Sequence, residues 1–392
     1  MNELRLGVIG VGSVVREIYE NLYYSSKYSD FISVEAVAEP QEKRMNEFCD
    51  KHDIPASRRF TDYEEMLDSC ELDAVHVNTP DSLHEEPTVA ALEAGLDVLL
   101  PKPFADSVAA AHKMRMTAKK AGRLIGVDFH KRGDPRLIEA RQRYRSGRYG
   151  EFQYANWQMM DRLMVADPNH DPPFFATSDF AEKNSPISFL TVHMAYSFIE
   201  VVGLRPVAVR TQGWSQKLPS LSPISVQGYD MCDTEVVFEN NGVAHFVTGW
   251  HFPDPSPTIS NESTRTICTD GVLDIMHTAG LWEITARDGV EDPNILFQTT
   301  DIDGMVTGFG MSVPGDLLTN FIERRDGALD DAETEELLSP MQLGFWATAI
   351  VEAAHESLRR GEGTDNGVTF GAQVQVEDLL RERLGGDAEQ YI

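Results

Sequence analysis

Two side chains in the sequence combine the residue type and the setting that proton transfer needs. Lys102 stands between two prolines directly after the apolar stretch 96–100, so the chain is stiff there and the side chain is aimed. Such a lysine can polarise a hydroxyl or carbonyl group and, with a lowered pKa, transfer a proton. His193 lies in the apolar, helix-like run 188–199, and imidazole exchanges protons near neutral pH. The commoner alternatives are an exposed loop lysine and a core histidine.

A glycine turn near the start of the chain is typical of a dinucleotide-binding βα unit. A short apolar run is followed by Gly10 and Gly12 and then by a helical pattern. Gly10 permits the tight turn, and Gly12 lets the backbone approach a pyrophosphate, which the N–H groups of Ser13 and Val14 can hold. Val15 replaces the third small residue of the motif, which weakens the motif without cancelling it. A glycine turn without a ligand is the alternative.

An acidic residue ends the second apolar run, 31–38. Glu39 is placed to bond the hydroxyls of an adenosine ribose, and its charge would repel the 2′-phosphate of NADP. NAD is therefore the favoured cofactor. Lys43 and Arg44 are close enough in the sequence to weaken that preference, so NADP stays open. A solvated strand end is the alternative for Glu39.

The composition excludes some partners. The chain has 392 residues, 63 Asp and Glu against 34 Lys and Arg, and a net charge of −29, so its surface repels nucleic acid and anionic membranes. This excess favours a salt-adapted, halophilic protein over an acidic mesophilic one. We see no signal-peptide pattern and no apolar run of about 20 residues, so we expect a cytoplasmic protein without a membrane span. The cysteines form no metal motif, and we expect reduced thiols and no metal: Cys49, Cys70, Cys232 and Cys268.

Strands and helices alternate with short loops as far as residue 128. This pattern predicts an α/β domain with a doubly wound parallel sheet, a Rossmann domain over residues 1–128. Ligands of such sheets bind at the carboxyl ends of the strands. The predicted ends carry Glu39, Thr79 with Pro80, Lys102 and His130.

Several segments together resemble one family of oxidoreductases. Residues 73–84, DAVHVNTPDSLH, and 91–103, ALEAGLDVLLPKP, are similar to the motifs of the Gfo/Idh/MocA family, which includes glucose–fructose oxidoreductase and inositol dehydrogenase. Pro101 replaces the family's Glu before the lysine. Residues 129–135 and 146–152 resemble two further family segments, with Gly133 in place of a Phe. The resemblance is strong over residues 4–160 and weaker towards the end.

The resemblance implies an α+β second domain, residues 129–392, with a large, mostly antiparallel sheet. Alternating stretches agree with strands at 151–157, 207–212, 234–238, 243–248, 263–269 and 281–286. Helices are expected at about 315–325 and 339–360, and these carboxyl-terminal helices could pack back on the first domain. The exposed face of the sheet often makes oligomer contacts in this family, so a homodimer or homotetramer is expected.

The resemblance also assigns roles to individual residues. Lys102 and His193 become catalytic and substrate-binding residues. The family places an Asp one helical turn before this histidine, where the present sequence has Phe189; the upstream carboxylates Asp161, Asp171 and Asp179 are candidates to replace it. The remaining assignments place Gly10, Gly12, Ser13, Val14, Glu39, Thr79, Pro80, His84 and Lys102 against the cofactor, and His130 and Arg132 against the substrate.

Three functions follow as hypotheses. The first is an NAD(P)-dependent dehydrogenase that moves a hydride between nicotinamide and a secondary hydroxyl of a sugar, cyclitol or polyol. The second uses bound NAD for transient oxidation and cleaves a glycoside without net NADH. The third is a sensor that binds dinucleotide without catalysis, which the missing Asp and Glu favour. The sequence does not name the substrate.

Overall fold

The computed structural model describes residues 3–172, 174, 179–276, 283–285, 289–330, 332–333 and 341–392. These residues form two compact units. The first unit contains residues 1–134 and 296–345, and the second contains residues 135–295 and 346–392.

The first unit is built on a parallel sheet. Its strands are β1 (Leu4–Ile9), β2 (Ile32–Ala38), β3 (Arg59–Phe60), β4 (Ala74–Val77), β5 (Asp97–Pro101) and β6 (Ile125–Asp128). Neighbouring strands pair in parallel in the order β3-β2-β1-β4-β5-β6. This order reverses between β1 and β4, as in doubly wound dinucleotide-binding sheets. The predicted α/β fold with a parallel sheet is confirmed.

The helices between these strands begin and end at local signals in the sequence. They are α1 (Glu20–Tyr24), α2 (Glu42–Lys51), α3 (Tyr63–Ser69), α4 (Glu85–Glu93) and α5 (Val108–Ala121). The side chain of Asp62 accepts a hydrogen bond from the Glu64 amide and caps α3. Ser107 caps α5 through the Ala110 amide, so this helix begins at Val108. Gly122 ends α5 with a φ of +62°.

The core of the first unit joins the first strands to a helix that is distant in the sequence. A π-helical turn, Val15–Tyr19, precedes α1, and its buried residues belong to the same apolar cluster as Leu6 and Val8. The later segment of this unit adds Leu317, Phe321 and their neighbours to the same apolar cluster. Burial of this cluster holds the glycine turn against the sheet.

The second unit contains a mixed, mostly antiparallel sheet, as the resemblance implied. The strands in its first part are β7 (Phe152–Arg162), β8 (Pro206–Trp214), β9 (Met231–Phe238), β10 (Val243–Phe252), β11 (Ser260–Cys268) and β12 (Gly271–Met276). They pair in the order β12-β11-β7-β10-β9-β8, and the β7–β10 pair is parallel. Later strands are β13 (Glu283–Thr285), β14 (Gly289–Glu291), β15 (Thr299–Thr300), β16 (Val306–Thr307), β17 (Glu362–Gly363), β18 (Val368–Phe370) and β19 (Val374–Gln375), of which β15 and β16 belong to the first unit. The predicted strand 281–286 lies partly outside the described residues.

The helices that follow complete both units. They are α6 (Pro135–Arg145), α7 (Phe180–Lys183), α8 (Val192–Val202), α9 (Phe309–Arg325), α10 (Met341–Arg359) and α11 (Val376–Leu384). In the second unit Phe198 of α8 packs against the sheet, with its ring centroid 5.3 Å from Trp157 and 5.1 Å from Phe238. Every residue of α8 is buried, which fixes the helix that carries His193.

Candidate functional site

The glycine turn lies between the carboxyl ends of β2 and β4. The Gly10 amide donates to the carbonyl oxygen of Ala38 at 2.8 Å, and the Asn78 amide donates to Ile9 at 2.7 Å. Gly10 has a φ of +86°, and a Cβ there would lie 2.8 Å from the carbonyl oxygen of Asn78. The turn therefore requires glycine and sits where the strand order reverses, which is where open α/β sheets bind ligands.

At Gly12, unlike at Gly10, no contact within the described protein requires a glycine. A Cβ on Gly12 would meet no atom of the described residues within 4 Å. This open side is where a pyrophosphate would need to approach the backbone, and Ser13 and Val14 follow at the start of the helix. Val15, in place of the motif's third small residue, is fully buried in the core of the first unit. The residues present fit a dinucleotide phosphate.

Glu39 is buried and holds the glycine turn. Its Oε2 accepts a hydrogen bond from the Val11 amide at 3.1 Å, and its Oε1 accepts one from the Gln41 amide at 3.0 Å. The guanidinium of Arg44 lies 3.6 Å from Oε1. A carboxylate has about four acceptor positions, so Glu39 retains capacity for ribose hydroxyls. The sequence predicted the ribose contact, but it carried no signal for the bond to Val11.

The loop after β4 is tied to the loop that carries Lys102. Thr79 donates through its hydroxyl to the carbonyl oxygen of Leu83, and Pro80 precedes a short 3-10 turn. His84 is buried, with Nδ1 3.2 Å from the carbonyl oxygen of Pro103 and Nε2 3.1 Å from that of Thr79. Burial lowers the pKa of His84, and a neutral imidazole donates from one nitrogen at a time. His84 thus connects the loop after β4, which carries Thr79 and Pro80, to the loop after β5, which carries Lys102.

Lys102, His84 and His130 lie near one another in the first unit. Lys102 directly follows β5, and its charge contributes to the lowered pKa of both histidines. Burial, followed by the charges of Lys131 and Lys102, lowers the pKa of His130 to about 3. His130 is therefore neutral near pH 7 and can exchange hydrogen bonds with a hydroxyl group. Arg132 lies in the same short turn, residues 130–133, after β6.

His193 belongs to the second unit, whereas the other predicted site residues belong to the first. It is 7% exposed on α8. The residue where the family has an acid, Phe189, lies in a π-helical turn, Ile187–Thr191, that runs into α8. Its ring packs 5.2 Å from Phe180 and 5.8 Å from Trp250, so an aromatic cluster takes the place of the carboxylate.

The three upstream carboxylates have different surroundings. Asp161 is buried in β7. Asp179 pairs with Lys183 at 2.7 Å on the surface, and Asp171 is exposed. By burial, Asp161 is the one of the three that resembles an interior acid.

Sequence reasoning missed a buried polar layer in the first unit. Tyr19 donates through its hydroxyl to Oδ2 of Asp128 at 2.8 Å, and the hydroxyl of Tyr23 lies 2.7 Å from Nδ1 of His76. The available signal was two tyrosines four residues apart on the inner face of one helix, with polar residues inside two apolar strands. That spacing places both rings against the sheet.

Neither a metal site nor a membrane-spanning helix is found among the residues that the structure describes. No group of three or more His, Cys, Asp and Glu side chains among the residues described could hold a metal ion. Within those same residues, no helix combines the length and the apolar character needed to cross a membrane.

The geometry can be compared with known proteins. The model of an oxidoreductase family with an NAD-binding Rossmann fold, Gfo/Idh/MocA, matches residues 4–129. D-glucoside 3-dehydrogenase of Escherichia coli K12 is 23% identical over 269 residues, which cover 66% of this chain and 74% of that protein. Inositol 2-dehydrogenase of Corynebacterium glutamicum is 30% identical over 149 residues, 38% of this chain and 43% of that enzyme.

The similarity in structure extends over both units. Scyllo-inositol dehydrogenase from Lactobacillus casei, solved with NAD(H) and scyllo-inositol, aligns with a TM-score of 0.71 at 16% identity. The alignment covers 96% of this chain and 99% of that one, so the two proteins share their fold.

Proposed function

The chain belongs to the Gfo/Idh/MocA family of oxidoreductases, and we propose that it transfers a hydride between nicotinamide and a secondary hydroxyl of a sugar, cyclitol or polyol. The observation that carries this proposal is the glycine turn at the point where the strand order reverses, with an open side at Gly12 and Glu39 beside it. Relatives that act on a glucoside and on inositol support the substrate class.

The first unit binds the dinucleotide in this proposal. The amides of Ser13 and Val14 at the start of the helix hold the pyrophosphate, while Glu39 accepts hydrogen bonds from the adenosine ribose. Thr79 and Pro80 border the same edge of the sheet, and His84 fixes the loop between them and Lys102. NAD is the favoured cofactor, with NADP as the alternative that Arg44 keeps open.

The chemistry divides between cofactor and protein. The bound nicotinamide supplies the hydride acceptor. Lys102 polarises the substrate oxygen, and His193 takes the hydroxyl proton because a neutral imidazole can act as a base near pH 7. His130 and Arg132 bind other hydroxyl groups of the substrate. Because Phe189 replaces the acid one turn before His193, Lys102 contributes more to proton transfer than the equivalent lysine does in relatives that keep this acid.

Replacement of Lys102 tests the mechanism. We expect Lys102→Ala to lower kcat on the best sugar or inositol by about 10²- to 10⁴-fold, because positioned acid–base groups contribute that much. Lys102→Arg keeps the charge but cannot release a proton, so it should restore substrate affinity without restoring kcat. The measurement is steady-state turnover with NAD and NADP over a panel of sugars and inositols.

Lys120→Ala, on the exposed end of α5, is the matched control and should leave turnover unchanged. Normal turnover in Lys102→Ala would contradict the mechanism. The same assays separate the two alternative functions. Glycoside cleavage without net NADH would indicate transient oxidation, and tight NAD binding with no turnover on any substrate would indicate a sensor.

Cellular setting and assembly extend the proposal. The cysteines of the described chain are free thiols, which supports a reducing, cytoplasmic location.

Strand register places Tyr154 and Val272 on one face of the second sheet, both exposed, and this face supports a homo-oligomer contact. Light scattering after size-exclusion chromatography, with Tyr154→Arg as the disruptive variant, measures the assembly. The net charge of −29 supports adaptation to high salt.

A further inference from the structure

A carboxyl group is buried at the carboxyl end of the first-unit sheet. Asp128 is 2% exposed, and its Oδ2 accepts a hydrogen bond from the Tyr19 hydroxyl at 2.8 Å. Its Oδ1 has no hydrogen-bond partner among the described residues. Gly126, two positions earlier and therefore on the same face of β6, is covered by Leu317 and Phe321 of α9. Asp128 thus lies in mostly apolar surroundings, where buried polar atoms usually have partners.

Asp128 lies in the half of the sheet where the nicotinamide end of the cofactor is expected. In dinucleotide-binding sheets each half of the sheet takes one mononucleotide. Here the half that contains β2 carries Glu39, which suits the adenosine ribose, so β4 to β6 take the nicotinamide half. Asp128 is the last residue of β6 and is paired with Pro101, the residue before Lys102. Tyr19 ends the helical turn that follows the glycine turn, and so links that turn to Asp128.

We propose that the Asp128 carboxylate, held by Tyr19, makes this site favour the oxidised cofactor over the reduced one. The oxidised nicotinamide ring is cationic and the reduced ring is neutral. A carboxylate in apolar surroundings attracts a cation more strongly than it would in water. This inference rests on the proposed function, because it requires that nicotinamide binds at β4 to β6.

The ionisation of Asp128 supports the proposal. Burial raises the pKa of Asp128 to about 7, and the hydrogen bond from Tyr19 opposes part of that rise. The surrounding groups do not supply a compensating proton near this pH. His76, whose ring lies 4.4 Å from that of Tyr19, has a pKa lowered to about 3 by burial, and Tyr23 has its pKa raised far above 10. The pKa of His130 is also lowered to about 3, so its imidazole is neutral near pH 7.

Cofactor binding and the protonation of Asp128 are linked equilibria. Binding of the cationic ring favours the carboxylate, so it releases a proton when Asp128 is still protonated, near pH 6. The affinity for NAD⁺ therefore rises as the pH rises from 6 to 8, whereas the affinity for NADH does not follow it. If binding lowers the pKa of Asp128 by about one, the total change in NAD⁺ affinity is about tenfold, of which about fivefold falls between pH 6 and 8.

The experiment measures Kd for NAD⁺ and NADH between pH 6 and 8.5 by calorimetry and nucleotide fluorescence, with proton release obtained from buffers of different ionisation enthalpy. Asp128→Asn should abolish both the rise in NAD⁺ affinity and the proton release. Tyr19→Phe removes only the donated hydrogen bond, which raises the pKa of Asp128 further, so the rise should move to higher pH.

Asp97→Asn is the matched control. Asp97 is also buried but begins β5, about 13 Å away along the strand, where it accepts a hydrogen bond from the Leu124 amide. It should leave the NAD⁺ to NADH preference and its pH dependence unchanged. If Asp128→Asn does not fold, the wild-type proton release and the shift in Tyr19→Phe decide the question.

The outcomes separate this inference from the function on which it rests. If NAD⁺ and NADH bind with the same pH dependence in the wild type and in Tyr19→Phe, the inference is wrong while the proposed dehydrogenase stands. If the wild type binds neither nucleotide, the proposed function itself fails.

Discussion

Glu39 accepts hydrogen bonds from the amides of Val11 and Gln41, and the Arg44 guanidinium lies 3.6 Å from the same carboxylate. One side chain thus fixes the glycine turn, and in the proposed function it also accepts hydrogen bonds from the adenosine ribose. The nearby cation offsets the negative charge that would otherwise repel a 2′-phosphate. At the scale of single residues, we therefore propose that the choice between NAD and NADP depends on a pair of residues, Glu39 with Arg44.

Replacement of Arg44 tests this pair. We expect Arg44→Gln to weaken NADP binding by about tenfold or more, since hydrogen bonds to charged groups are worth about 1.5–3 kcal/mol. Binding of NAD should change less than about twofold. Lys43→Gln is the control, because Lys43 is exposed and lies 3.8 Å from Glu47. Calorimetric titration of all three proteins with both nucleotides provides the measurement, and an unchanged NADP affinity in Arg44→Gln would remove Arg44 from the site.

At the scale of elements, the parallel sheet could be predicted because five of its six strands, β1, β2, β4, β5 and β6, are mostly apolar runs close to a glycine or proline. The two-residue edge strand β3, Arg59–Phe60, is half-buried and has no such pattern. The predicted apolar run 31–38 appears as β2, Ile32–Ala38. Two strands were missed because their sequences carry little local pattern: β12, at the edge of the second sheet, and the three-residue strand β18, whose partner β8 is distant in the sequence. The two π-helical turns were also missed, since their apolar spacing resembles that of an α-helix.

The part of the candidate site that could be predicted is the set of residues that directly follow the strands of the parallel sheet. Loop positions after β1, β4 and β5 follow from the alternation of elements, and so do Gly10, Thr79 and Lys102. The bond from Val11 to Glu39 and the bond from Tyr19 to Asp128 join residues 28 and 109 positions apart. Contacts of this kind depend on how helices pack on the sheet, which periodicity does not specify.

The two glycines of the turn give the prediction for this element. Gly10→Ala should lower the free energy of unfolding by about 1–3 kcal/mol, because its φ is +86° and its Cβ would lie 2.8 Å from the Asn78 oxygen. Gly12→Ala should leave stability nearly unchanged, since its Cβ meets no described atom within 4 Å, yet should weaken NAD binding about tenfold or more by crowding the pyrophosphate. Urea unfolding and nucleotide titration measure the two effects. A stability loss in Gly12→Ala equal to that in Gly10→Ala would show that both glycines serve the fold alone.

At the scale of the whole molecule, charge is the dominant property. A net charge of −29 makes the folded chain repel itself, and folding brings those charges closer together. Salt at 1 M shortens the screening length to about 3 Å, from about 10 Å at 0.1 M, and so weakens repulsion between separated carboxylates. Ion pairs on the surface lose strength too, but each of them contributes only about 0–1 kcal/mol.

The protein should therefore become more stable as KCl rises from 0.1 to 1 M. We expect a higher Tm in scanning calorimetry, by a few degrees, since about 1 kcal/mol raises Tm by roughly 2–4 °C in domains of about 150–250 residues. The triple variant Glu65→Gln, Asp68→Asn, Glu93→Gln removes three exposed charges from α3 and α4. It should raise Tm at 0.1 M KCl and lose that advantage at 1 M, because the repulsion that it relieves is already screened. A variant advantage that is equal at both salt concentrations would assign the gain to helix propensity, and a wild-type Tm that falls with KCl would show that ion pairs outweigh the repulsion.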